Sequence, residues 1–147
     1  MIRAILLGLC LTVGFSVQAL AETFEVRMLN RGEKGSMVFE PDFLAVSPGD
    51  SVRFVPAHKS HNAATIDGML PDGVEGFKSK INDEFETTFE TPGFYGIKCS
   101  PHYGMGMVML IKVGEAVLPE SYTMIDVPGR ARPRMDALFQ RAGEAVN

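Results

Sequence analysis

The chain has 147 residues, enough for one domain with a full core and short for two. Hydrophobic residues make up 46% of it and the mean hydropathy is +0.07, which excludes both wholesale disorder and a many-spanning membrane protein. Its 14 Lys and Arg against 18 Asp and Glu leave a net charge of -4, the wrong sign for a protein whose main partner is nucleic acid.

Residues 1–21 carry one cation at Arg3, an apolar run from Ala4 to Val17, and then Ala19-Leu20-Ala21. That order predicts a secretory signal peptide cleaved after Ala21. The apolar run is shorter than the roughly 20 residues that span a bilayer, so no stable membrane insertion is expected. Export leaves residues 22–147, a net charge of -5 once Arg3 is lost, and Cys99 as the remaining cysteine. A lone thiol in an oxidising compartment calls for a reason, either metal ligation or burial as an inert core residue.

From Thr23 to Asn30 the apolar residues Phe24, Val26 and Met28 alternate with Glu25 and Arg27, the pattern of a strand with one wet face. Asn30 to Gly35 breaks it, Met37–Glu40 and Phe43–Val46 are short apolar segments, and Pro48-Gly49-Asp50 turns the chain into an alternating run from Ser51 to Val55. Residues 56–82 are irregular, interrupted by Gly68, Pro71-Asp72-Gly73 and Gly76, and are expected to pack across one end of the domain and shape a site. Glu84–Phe89, Phe94–Cys99 and Met107–Val113 resume the strand pattern. Seven or eight short strands with Pro/Gly turns predict an antiparallel sandwich or barrel. Beyond it, Pro119–Ile125 reads as a short helical segment, and from Pro133 onward Met135, Leu138, Phe139 and Ala142 recur at helical spacing. The expected organisation is one domain, with 22–113 as the β-sandwich and 114–147 as a helical extension packed on it.

All three histidines fall in two clusters. His58 and His61 follow a strand, with Asn62 next in line; Cys99, His102, Met105 and Met107 share one loop between two strands. Paired cysteines for a closed zinc site are missing, as are the several thiolates of an iron–sulfur cluster and the Cys-x-x-Cys-His of covalent haem. Two imidazoles, one thiolate and a weak axial thioether instead suit a single copper ion that changes oxidation state. On residue types and spacing the candidate ligands are His61, Cys99, His102 and Met107. His58 competes with His61, and Met105 and Met109 compete with Met107. The polar Asn62 beside His61 is a candidate brace for the site. Pro101 limits the backbone between Cys99 and His102, and Gly104 and Gly106 let the loop turn back.

These residues, together with Phe54-Val55-Pro56, Gly68-Met69, Phe77-Lys78-Ser79-Lys80-Ile81-Asn82 and Tyr95-Gly96 through Met107, closely resemble the pseudoazurin group of blue copper proteins, within the cupredoxins. The resemblance runs from Glu22 through the C-terminal segment. It implies an all-β Greek-key sandwich of about eight strands with a C-terminal helical extension, one copper ion cycling between Cu(II) and Cu(I), and His61, Cys99, His102 and Met107 as its ligands. It also implies a periplasmic, monomeric electron carrier that donates to nitrite reductase in denitrification, other periplasmic redox proteins being further partners. Electrons would leave through His102, past an apolar patch including Pro101 and Met105 and ringed by Lys59, Lys78, Lys98 and Arg31. Two competing functions are a copper storage or delivery module and a thiol enzyme using Cys99 with a histidine base.

Overall fold

The computed structural model describes residues 20–144. The signal-peptide reading therefore falls almost wholly outside the described residues; Leu20 and Ala21 are exposed and in no regular element.

Among the described residues eight strands form two four-stranded sheets. They are β1 (Thr23–Gly32), β2 (Gly35–Glu40), β3 (Phe43–Val46), β4 (Ser51–Pro56), β5 (Ala64–Thr65), β6 (Phe85–Thr88), β7 (Gly93–Lys98) and β8 (Val108–Val113). The first sheet has the order β2-β1-β4-β6 and the second β3-β8-β7-β5, so each keeps two open edges and no barrel closes. The antiparallel expectation needs correcting. Each sheet contains one parallel pair, β1 with β4 in the first and β3 with β8 in the second. The cause is connectivity: after the β1–β2 hairpin the chain crosses to the second sheet for β3 and returns for β4, which then runs beside β1 in the same direction.

The alternation along β1 and β4 places Val26, Met28, Val52 and Phe54 between the sheets, against Ile97, Met109 and Ile111. Phe54 meets Phe39 edge-on, with ring centroids 6.2 Å apart. β8 is buried at all six positions because both of its faces are covered. Met109, Ile111 and Val113 face the sandwich core, whereas Val108 and Leu110 pack with the C-terminal segment.

That segment forms α1 (Glu120–Thr123) and α2 (Ala131–Glu144). In α2 the buried residues are Ala131, Met135, Leu138, Phe139 and Ala142, one helical stripe laid on the outer face of the second sheet. The helix begins two residues before Pro133, since proline in the first turn sacrifices no intrahelical hydrogen bond. Tyr122 anchors α1 by donating its buried hydroxyl to Phe94 O at 3.0 Å. Among the described residues no helix is long and apolar enough to cross a membrane.

Candidate metal centre

His61 lies where the chain crosses from β4 in the first sheet to β5 in the second. Cys99 follows β7 directly, and its loop winds into a 3-10 turn over Ser100–Met105 with Pro101 at its start. Three backbone bonds close this loop on itself: His102 N–H to Cys99 O (3.1 Å), Met107 N–H to His102 O (3.1 Å) and Cys99 N–H to Met107 O (3.0 Å). The backbone of Met107 is thus held against both Cys99 and His102.

His61, Cys99 and His102 form the one group of potential metal-holding side chains of these types among the described residues. Cys99 Sγ is 3.6 Å from His61 Nδ1 and 3.5 Å from His102 Nδ1, and the two Nδ1 atoms are 3.1 Å apart. A point equidistant from the three lies about 2 Å from each, the bond length between imidazole nitrogen and a first-row divalent ion. Three donors around one ion-sized gap, with a soft thiolate among them, fit copper.

Burial and hydrogen bonding prepare these atoms. His61 and Cys99 are fully buried, whereas His102 is partly exposed. The far nitrogen of His61, Nε2, donates to Asn30 Oδ1 at 2.7 Å, which leaves Nδ1 with a bare lone pair turned toward Cys99. Burial, followed by the charges of His102 and His58, pushes the His61 pKa down to about 4, so its imidazole is neutral at pH 7. Burial also pushes the Cys99 thiol up, against opposing backbone hydrogen bonds from Asn62 and His102. Without an ion the sulfur therefore keeps its proton, and binding a metal there releases it.

Asn62 is buried and joins three segments. Its Oδ1 accepts from Ser100 N–H at 2.7 Å, and its Nδ2 donates to Ser79 O at 3.0 Å and to Ser100 Oγ at 3.3 Å. Asn30, by contrast, has no sequence signal pointing to this role, because its contact with His61 spans 31 residues. His58 is exposed and stands apart from the cluster, its Nδ1 accepting Asn30 N–H at 3.1 Å. Of the three methionines, Met105 is 44% exposed at the end of the 3-10 turn, while Met107 and Met109 are fully buried. Met109 is paired with Ile97 inside β8, one step farther from the loop.

Around this end, Lys78, Lys80, Ile81, Ser100 and Pro101 line one shallow depression beside Asn62. Lys59 is exposed on the neighbouring loop, which Ser60 N–H ties to Asn82 Oδ1. Arg31 is exposed at the end of β1, and Lys98 stands over the Tyr103 ring at 5.0 Å. Ile81, 52% exposed, adds an apolar residue to the rim that reading by residue type passed over, having nothing but its neighbours Lys78 and Lys80 to mark it.

Comparison with known proteins agrees with this geometry. The family described as copper binding proteins, plastocyanin/azurin family, matches residues 26–114. A pseudoazurin from Paracoccus pantotrophus is 54% identical over 120 residues, covering 80% of this chain and 81% of the relative. A putative pseudoazurin from Rhizobium leguminosarum bv. viciae is 47% identical over 126 residues, covering 85% and 83%. The crystal structure of pseudoazurin from Methylobacterium extorquens AM1 superposes with a TM-score of 0.77 at 40% identity, covering 81% of this chain and 98% of that one. The fold and the donor cluster define a cupredoxin. Within the copper-binding plastocyanin/azurin family, the chain belongs to the pseudoazurins. Its cofactor is copper and its activity is that of a type 1 copper electron carrier.

Proposed function

We propose that the chain is exported to the periplasm and delivers single electrons to nitrite reductase in denitrification, as a monomer in which His61, Cys99, His102 and Met107 would hold one copper ion. Other periplasmic redox proteins are further partners. Bound copper supplies a one-electron Cu(II)/Cu(I) couple. The protein's own residues do the rest. Cys99 and His61 offer their donors from a dry interior, Asn30 holds the His61 tautomer, and Asn62 keeps the loop carrying Cys99 and His102 against the crossover carrying His61. The observation that carries the reading is the asymmetry of burial: of the three clustered donors His102 alone reaches toward solvent, beside the exposed apolar residues Pro101 and Met105. An electron can leave through that edge across a small, weak contact that releases its partner quickly.

A storage or delivery module would hand its ion over through exposed donors, and the buried thiol and imidazole disfavour that exchange. A thiol enzyme needs a depressed thiol pKa, and Cys99 is pushed the other way. The test is the copper-loaded protein without residues 1–21, followed by visible absorption and stopped-flow mixing with nitrite reductase. Intense thiolate-to-Cu(II) absorption is expected, lost on reduction and absent in Cys99→Ala, with rapid oxidation of the reduced protein by nitrite reductase. A colourless Cu(II) form overturns the ligand set. Oxidation by a small inorganic acceptor but not by nitrite reductase overturns the partner alone.

A further inference from the structure

The loop that carries the donors is backed by the start of α2, and one side chain there reaches three carbonyls. Arg134 Nη1 donates to Gly106 O at 2.8 Å and to Met37 O at 2.7 Å, while Nη2 donates to Ser36 O at 2.8 Å. Just before the helix, Arg130 N–H donates to Gly104 O at 3.1 Å. The packing is close: a Cβ on Gly106, whose φ is +92, would stand 2.9 Å from Arg130 O and 3.0 Å from Arg134 Cδ. Among the described residues Arg134 makes no ion pair within 4.0 Å, so its fork is committed to backbone oxygens.

The Gly106 carbonyl and the Met107 N–H belong to one peptide plane. Arg134 holds its oxygen end and His102 O holds its N–H end, so the plane from which the Met107 side chain departs is pinned on both sides. The other two carbonyls lie on β2. There the β1–β2 register sets Leu29 opposite Val38 and Arg31 opposite Ser36; Met37, which the same register sets opposite Asn30, has φ +52 and interrupts the ladder. Arg134 thus grips both the peptide preceding Met107 and the strand facing Asn30, the residue that holds His61.

We propose that Arg134 is a positioning residue for the axial methionine: from α2, its guanidinium sets how closely Met107 approaches the copper and thereby the reduction potential and electronic asymmetry of the centre. This rests on the copper-carrier reading. The planar fork matters as much as the charge, because a single ammonium cannot hold three carbonyls in this geometry. Arg132 on the same helix is the natural control. It donates to Thr123 O and to Asp136 Oδ1, both at 3.2 Å, and to Ile125 O; among the described residues it makes no hydrogen bond to the loop of Cys99 and Met107.

The experiment compares wild type, Arg134→Gln, Arg134→Lys and Arg132→Gln as copper-loaded proteins, alone and combined with Met107→Leu. Expected are a raised reduction potential, altered relative intensity of the visible bands and altered paramagnetic-resonance asymmetry for both Arg134 variants, with little change for Arg132→Gln. In the Met107→Leu background, where the thioether is gone, Arg134→Gln should add no further shift in potential. In the copper-free protein, hydrogen exchange at the Met107 amide should accelerate in both Arg134 variants and not in Arg132→Gln. A wild-type spectrum and potential in Arg134→Lys, or an equal shift in the Met107→Leu background, would overturn the proposal in favour of charge or general destabilisation. If Arg134→Gln does not fold, Arg134→Lys decides by the same cycle. A wild-type protein without blue absorption would instead overturn the copper-carrier reading, a result visible before any variant is made.

Discussion

Asn30 stands at the end of the wet-faced first strand, and its side-chain oxygen takes the one proton that His61 can offer from Nε2. Its backbone N–H donates to His58 Nδ1, so the residue is held through its main chain as well as its side chain. Replacing it in Asn30→Ala leaves the His61 ring free to turn and to carry its proton on Nδ1. Copper affinity should then fall by about 10- to 100-fold, as for other partners that orient a ligating histidine; competition with a chelator measures it, and unchanged affinity would show that burial alone holds the ring. His61 also makes the copper-free protein sensitive to acid. Its pKa is lowered from 6.5 to about 4, first by burial and then by the neighbouring histidines, so below pH 6.5 the unfolded chain binds a proton that the folded one refuses. Stability should therefore decline as pH falls from 6.5 toward 4, by roughly 3 kcal/mol from this group at the lower end. Urea denaturation across that window, compared with His61→Gln, checks it: the variant should show a shallower decline. At this scale the clustered donors were legible because thiol and imidazole share one short loop, and Asn62 because it adjoins His61. Asn30 was not, since a partner 31 residues away leaves no local pattern.

Among the elements, β8 has apolar residues without alternation because α2 covers the face that water would otherwise take. Leu138 is 1% exposed in that layer. Leu138→Ala should cost about 2–5 kcal/mol in urea denaturation while leaving the visible spectrum intact, because Leu138 belongs to the cluster outside the second sheet and Cys99 and Met107 to the one inside. A spectrum that changes with stability would mean that the two clusters are not separate. Period-2 alternation made β1 and β4 legible, and the spacing of Met135, Leu138, Phe139 and Ala142 did the same for α2. The two residues of β5 are too few to carry any period, and they exist as a strand because Ala64 and Thr65 find Lys98 and Ile97 on β7. The parallel pairs were equally hidden, for pairing direction depends on which sheet the chain visits between β2 and β4 rather than on the composition of either strand.

Across the whole molecule the charge is uneven. The chain is acidic overall, yet no Asp or Glu occurs from Thr91 to Val113, and Lys59, Lys78 and Lys80 are all exposed near the His102 end. Such a distribution can steer an acidic partner onto the exposed imidazole, leaving Pro101, Met105 and Ile81 to make the final dry contact. Lys59→Glu and Lys78→Glu should each lower the second-order rate of electron transfer to the proposed partner, nitrite reductase, several-fold at low ionic strength, and added salt should close the gap to wild type. The visible spectrum and reduction potential should stay the same. Equal rates across a salt series would leave these lysines as ordinary solubilising groups.

The position of His61 on the crossover between sheets also has a bearing on the order of folding. Cys99 and His61 are 38 residues apart, and the chain between them passes through β5 in the second sheet and β6 in the first before β7 brings it back. Cys99, His102 and Met107 can approach one another locally, but the buried imidazole joins them only after a long loop has closed and both sheets have docked. Refolding in the presence of copper should therefore show strand formation before visible colour. The colour then marks the completion of the sandwich, and a chain stalled with its sheets apart has no finished centre from which to pass an electron.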